Sequence, residues 1–134
     1  MNPQIEIAGR KIGIDYNPLV IAEIGINHGG SLEVAKQMVD TAIDSGIEII
    51  KHQTHIVEDE MTQEANKDIV AYFGKTIYEL MDGCALDELE ELELKLYIEN
   101  KGAIFISTPF SRAAAKPTRA TASSWGPYQL RRPP

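Results

Sequence analysis

Two charged residues in this sequence stand directly after apolar runs, and both types can do chemistry. Glu23 follows Leu19-Val20-Ile21-Ala22, and Lys51 follows Ile47, Ile49 and Ile50. A carboxylate at the end of a buried strand can bind hydroxyls or manage a proton. A lysine at the end of the next strand can hold a phosphate or carboxylate as a point charge. Taken singly, each also reads as a solvent-facing strand-end charge. An acid on one strand end and a lysine on the next are more specific than either alone. Gln53 lies two residues beyond Lys51 and shares its face in an extended chain. A third apolar run, Ala103 to Ile106, leads into Ser107-Thr108-Pro109-Phe110, where the Thr108 hydroxyl can meet a carboxylate or phosphate oxygen. Pro109 fixes the direction in which the chain leaves.

The remaining reactive residue types carry weaker signals. His52 and His55 are three apart, so an extended segment turns them to opposite faces, and only Gln53 and His55 share the face of Lys51. That spacing, with His28 far upstream, favours polar or packing histidines over a metal site. Asn27-His28-Gly29-Gly30-Ser31 leads into a helix start, which is either an anion-binding N-terminus or a plain tight turn. No Gly-Lys-Ser/Thr follows, so it is not a nucleotide P-loop. Cys84 is the single cysteine and reads as a small buried residue on or near a helix.

The elements that must hold these residues follow from periodicity. Residues 4–14 alternate apolar and polar on both sides of Gly9-Arg10, as a short β-hairpin does. Leu19 to Ala22 suits a strand covered on both faces. Ser31 is a good N-cap, and Leu32, Ala35, Met38, Val39, Ala42 and Ile43 recur at helical spacing before Gly46. Ile47 to Ile50 is a second strand, closed by Lys51. Residues 56–76 read as a polar excursion with one helical turn, and Thr76 to Met81 as a short helix. Asp87 to Asn100 reads as an amphipathic helix with Leu89, Leu92, Leu94, Leu96 and Ile98 on its apolar side and its acids in water. The order is hairpin, then βαβ(α)αβ, an α/β pattern whose ligands collect at the C-terminal strand ends. That rule selects Glu23, Lys51, Gln53 and Thr108.

Composition bounds the partners. The chain has 134 residues, 43% of them apolar, which is enough for one ordinary domain. Its net charge of −7 argues against nucleic acid as the main partner. No segment reaches the ~20 apolar residues of a membrane span, and no leader is read at the N-terminus, so the expected location is the cytoplasm. Residues 116–134 contain no Asp or Glu, hold four of the seven prolines and the only tryptophan, and show no period. They read as a disordered tail.

The motifs IAEIGINHGGSLEVAK, KHQTHIVEDEM, IYELMDGCAL and GAIFISTPFSRAAA resemble the N-terminal part of bacterial N-acetylneuraminate (sialic acid) synthases, from about Ile12 to Ala115. The KHQTH form resembles the sialic acid branch, whereas legionaminic and pseudaminic acid relatives more often have an aromatic residue in place of His52. The resemblance implies a partial TIM-type (β/α) barrel, about three βα units behind an N-terminal hairpin, against about eight units in a full barrel. It implies a C–C bond-forming transferase that condenses phosphoenolpyruvate with open-chain N-acetylmannosamine, releasing phosphate. It implies that Lys51 and Thr108 hold phosphoenolpyruvate, and that Glu23 faces the sugar and the reacting centre with Gln53 beside it. Intact relatives use Mn²⁺ or Mg²⁺ and form homodimers. Their metal-binding histidines, a Lys-Ile-Gly-Ser-Gly-Glu strand and an antifreeze-like domain come later than Ala115 and have no counterpart in this sequence. Ala71-Tyr72-Phe73-Gly74 replaces a Pro-Gly-Asn run that approaches the sugar in relatives.

Two expectations follow. Residues 1–115 form the barrel portion, and residues 116–134 are a non-homologous tail from out-of-frame translation or a damaged gene end. The chain by itself is expected to be inactive as a synthase. The alternatives are a non-catalytic fragment that binds a small anion, or an interaction module built on the acidic helix 87–100.

Overall fold

The computed structural model describes residues 4–7 and 9–116. Strands β1 (Gln4–Ile7) and β2 (Arg10–Gly13) pair antiparallel, with Ile7 opposite Arg10 and Gly9 at the turn. Arg10 Nε binds the Glu48 carboxylate at 3.0–3.1 Å, tying the hairpin to the segment that opens the second main strand.

The centre is a parallel sheet of β3 (Ile21–Gly25), β4 (Ile49–Thr54) and β7 (Ile104–Pro109), in the order β3-β4-β7. Helix α1 (Leu32–Asp44) crosses from β3 to β4, and α4 (Glu88–Asn100) precedes β7. The α/β reading therefore holds. Each strand nevertheless runs about three residues further than its apolar run. The ladder is made of backbone groups and continues through polar residues as long as a neighbour supplies partners. Glu23, Lys51, Gln53 and Thr108 accordingly lie within strands, near their C-terminal ends.

One face of the sheet is covered by α1 and α4. Ile24, Ile50 and Phe105 meet Val39, Leu94 and Ile98 there, all 5% exposed or less. Burying each such side chain stabilises the fold by about 1.5–3 kcal/mol. Ser31 caps α1 by accepting from the Val34 N–H at 3.3 Å. Helix α4 departs from its sequence reading. Its packed residues are Glu91, Leu94, Lys95 and Ile98, while Leu89, Leu92 and Leu96 are 76%, 39% and 48% exposed. A 3.6-residue period cannot place 89, 92 and 96 on the stripe of 91, 94, 95 and 98. The direct consequence is that one acid expected in water, Glu91, is in the interior.

The excursion after β4 holds the single helical turn α2 (Val57–Glu60), a 3₁₀ turn (Gln63–Asn66) and a small hairpin of β5 (Ile69–Val70) and β6 (Lys75–Thr76). Residues 71–74 form the tip of that hairpin, with Tyr72 90% exposed. Helix α3 (Ile77–Cys84) starts with a full capping box between Thr76 and Glu79, and α4 with one between Asp87 and Glu90. Ser111 to Lys116 begin a helical turn, with the Ala115 N–H on Ser111 O at 3.1 Å and the Lys116 N–H on Ala113 O at 3.0 Å. Apart from Lys116, the reading of residues 116–134 as a tail lies outside the described residues.

Gly30 has φ +79°, and a Cβ there would run into the Gly83 carbonyl oxygen at the end of α3. Gly29 has φ +60° with open space around it. Gly30→Ala is therefore expected to destabilise the chain by more than about 3 kcal/mol, and Gly29→Ala by only about 1–2 kcal/mol. Thermal melts followed by circular dichroism compare the two. Equal losses would mean that the close approach to Gly83 does not matter.

Candidate functional site

Side chains alternate along a strand, so register decides which residues share a face. Glu23 pairs with Lys51, Lys51 with Ile106, and Gln53 with Thr108. All sit on the sheet face turned away from α1 and α4. A register shift between Glu23 and Gly25 ends this regular pairing just past Glu23. Bulges of this kind re-aim side chains at the rims of sheets.

The three polar residues of β3 and β4 are joined. Lys51 Nζ donates to Glu23 Oε1 at 3.0 Å, and Gln53 Nε2 donates to the same oxygen at 3.0 Å. The Lys51 hydrogen bond is the main reason the Glu23 carboxyl is held below its usual range; the Lys51 charge and Gln53 add to it against a smaller opposing effect of burial. Glu23 is thus kept as a carboxylate, and its side chain is 48% exposed against 30% for Lys51. Thr108 reaches this face through its register with Gln53. Three of the four selected residues are hydrogen-bonded together, and the fourth is their neighbour across the ladder.

Two further groups escaped the sequence reading. His55 lies just past β4 and is 6% exposed. Its Nδ1 is 2.9 and 3.0 Å from the two Glu60 oxygens, and its Nε2 is 3.4 Å from Gln53 Oε1. The ring stacks on Phe110 at 4.4 Å between centroids. Only the shared face of Gln53 and His55 was legible beforehand; a glutamate five residues on has no fixed relation to a strand-end histidine until α2 turns it back.

The second group is buried under the other face. The Gly30 N–H donates to His28 Nδ1 at 3.2 Å. His28 Nε2 is 3.2 Å from His52 Nε2, so one of the two rings donates and the other accepts. His52 Nδ1 then faces Glu91 Oε1 at 3.5 Å, too long for a good hydrogen bond, and both atoms lack a closer partner. Thr54 donates to the other Glu91 oxygen at 2.9 Å and lies 2.7 Å from Ser107 Oγ. Burial lowers His52 to about 3, with His28 and His55 adding to the effect. Burial also raises Glu91 to about 7, against the Thr54 hydrogen bond. Between about pH 3 and 7 this is a pair of neutral groups rather than an ion pair. His28 and His52 pack side by side in the interior, with the Glu91 carboxyl as an unforeseen neighbour.

The loop at residues 27–31 spends its amides internally: the Gly29 N–H goes to Ile26 O, the Ser31 N–H to His28 O and the Gly30 N–H to His28 Nδ1. That favours the tight-turn reading over an anion site. Among the described residues no three His, Cys, Asp or Glu side chains converge as a metal would need. The Glu23 cluster is mostly donors, with its one carboxylate already neutralised by Lys51, and does not fit a divalent cation. Cys84 closes α3 as a half-buried free thiol. A cavity of about 310 Å³ opens beside His55, lined by Thr54, Tyr78, Leu86, Asp87 and Glu91 among others. It contains none of the four selected residues, whose site is an open sheet face. Among the described residues no helix is long and apolar enough to cross a membrane.

Residues 38–122, more than half of the chain, match the NeuB family. The chain belongs to the NeuB family. The match runs past Ala115, where the resemblance read from the motifs stops. An uncharacterized protein of Methanocaldococcus jannaschii is 35% identical over 106 residues, 79% of this chain and 28% of that protein. The N,N'-diacetyllegionaminic acid synthase of Campylobacter jejuni is 33% identical over 98 residues, 69% of this chain and 29% of that enzyme. The crystal structure of an N-acetylneuraminic acid (sialic acid) synthetase from Leptospira borgpetersenii, in complex with citrate, superposes with a TM-score of 0.71 at 27% identity. That superposition covers 90% of this chain and 39% of the synthetase. The chain thus spans under a third of the length of each of these two relatives.

Proposed function

We propose that residues 1–115 form one side of a (β/α) barrel of the sialic acid synthase type and carry part of its substrate site. The observation that carries this reading is the Glu23–Lys51–Gln53 cluster on the open face of a parallel sheet, with Thr108 in register beside it. In the corresponding reaction, phosphoenolpyruvate adds to the aldehyde of open-chain N-acetylmannosamine and phosphate leaves. The Lys51 ammonium and the Thr108 hydroxyl hold the anionic substrate. Gln53 meets the sugar. Glu23, kept ionised by Lys51, accepts a hydrogen bond from a sugar hydroxyl or takes a proton at the reacting centre. A divalent cation supplies Lewis acidity in the intact enzymes, and no step is assigned to it in this chain because the donor set does not suit it.

The complete reaction needs more than this corner. Purified chain with phosphoenolpyruvate, N-acetylmannosamine and Mn²⁺ is expected to give no N-acetylneuraminate, while phosphoenolpyruvate alone still perturbs the Lys51 and Thr108 signals in an NMR titration. Measurable product would overturn the first expectation, and unperturbed signals the second.

A further inference from the structure

His55 is held on three sides. Nδ1 faces both oxygens of Glu60, whose side chain is 6% exposed, Phe110 stacks on the ring, and Nε2 faces the amide oxygen of Gln53. Neither a carboxylate nor an amide oxygen can donate. Nε2 is therefore placed to donate to the Gln53 oxygen, at 3.4 Å. At its other end Gln53 donates from Nε2 to Glu23. Turning the amide over would set its oxygen against the Glu23 carboxylate and its NH₂ against the His55 donor. Its orientation is thus specified twice.

The two ends differ in permanence. Glu23 is half-exposed, and in the reading above it exchanges hydrogen bonds with substrate. The His55 end is buried. We propose that His55, clamped by Glu60 and Phe110, is a positioning residue that keeps the Gln53 amide oxygen inward and its NH₂ available to substrate. One N–H serves Glu23, and the second serves the ligand. The substrate atom that meets Gln53 is then an acceptor, such as a hydroxyl or acylamino oxygen of an open-chain amino sugar. This deepens the proposed function and rests on it for the identity of the ligand.

The ligand-free protein decides the positioning role. In the full ¹⁵N-labelled chain, NMR is expected to show a proton on His55 Nε2 and a resolved, exchange-protected pair of Gln53 side-chain amide protons. His55→Phe keeps a ring against Phe110 but donates nothing, and Glu60→Ala releases the clamp. Each is expected to shift the Gln53 pair and speed its exchange about tenfold. N-acetylmannosamine affinity should fall about tenfold in both variants, with phosphoenolpyruvate affinity changed by less than about twofold. A wild-type His55 with no proton on Nε2, or a Gln53 amide indifferent to both variants, overturns the proposal. Equal loss of both ligands overturns it too, because a merely structural role predicts that. If neither ligand binds the wild type while the Gln53 lock is seen, the substrate reading fails and the positioning role stands.

Discussion

Lys51→Met is expected to weaken phosphoenolpyruvate binding about 10- to 100-fold while leaving the fold intact. Methionine keeps an unbranched stem in the strand but removes the ammonium, and a charge-assisted hydrogen bond to an anion is worth about 1.5–3 kcal/mol. The same substitution removes the principal cause of the low Glu23 pKa, so the Glu23 carboxyl should move back up toward its ordinary range. Isothermal titration with phosphoenolpyruvate reads the first effect, and a ¹³C-detected pH titration of the Glu23 carboxyl reads the second. Gln53 still donates to Glu23 in the variant, so Glu23 should remain on the same face. Unchanged anion affinity would remove Lys51 from the substrate site even if the Glu23 carboxyl moves as expected.

Glu91→Gln is expected to stabilise the chain at pH 7.5 and above by about 3 kcal/mol, with little effect at pH 4. The Glu91 carboxyl titrates at about 7 in the folded chain against a usual 4.5. Between those values the unfolded chain loses a proton that the native chain keeps, so stability falls as pH rises through that window. The penalty is absent below pH 4.5 and complete above about 7; every tenfold difference in proton affinity between the folded and unfolded chain corresponds to about 1.4 kcal/mol. Glutamine accepts the Thr54 hydroxyl without carrying charge, so it escapes the penalty. His52 acts in the opposite sense. Its folded value of about 3 against a usual 6.5 makes stability rise with pH between those two points. In the wild type the two effects overlap and cancel between about pH 4.5 and 6.5, where folded His52 and Glu91 together bind as many protons as when unfolded. Urea melts should therefore show stability rising from about pH 3 to 4.5, then a plateau, then a small decline near 7. In Glu91→Gln the rise should continue to about pH 6.5. A variant curve parallel to that of the wild type would show that Glu91 does not titrate in this range.

Some of this was legible before any coordinates. Leu32, Ala35, Val39 and Ile43 specify α1 because a one-dimensional period of 3.6 is enough to mark a buried stripe. The apolar runs before Glu23, Lys51 and Ser107 mark three strands, and the polar residues that follow mark where a site lies. The reading of Leu19 to Ala22 as covered on both faces fails, because helices cover one face only and Val20 and Ile21 are 55% and 46% exposed. Helix α4 shows the limit of the same rule. Leucines at 89, 92, 94 and 96 do not share one stripe, and which stripe is buried depends on how the helix meets α1 and the sheet. That contact put Glu91 inside and left Leu89 outside. Capping boxes at Thr76 and Asp87 were readable from spacing alone, since each acid sits three residues beyond its cap.

The sequence by itself determined that Glu23, Lys51, Gln53 and Thr108 belong near strand ends, because alternation and apolar runs are local properties. Only the tertiary structure decided that Lys51 and Gln53 converge on one Glu23 oxygen, because that depends on the register of two strands 28 residues apart in sequence. It also decided that His55 answers to Glu60 and His52 to Glu91. Burial and through-space pairing set the charge and orientation of those groups, and neither is encoded in the spacing of residues along the chain.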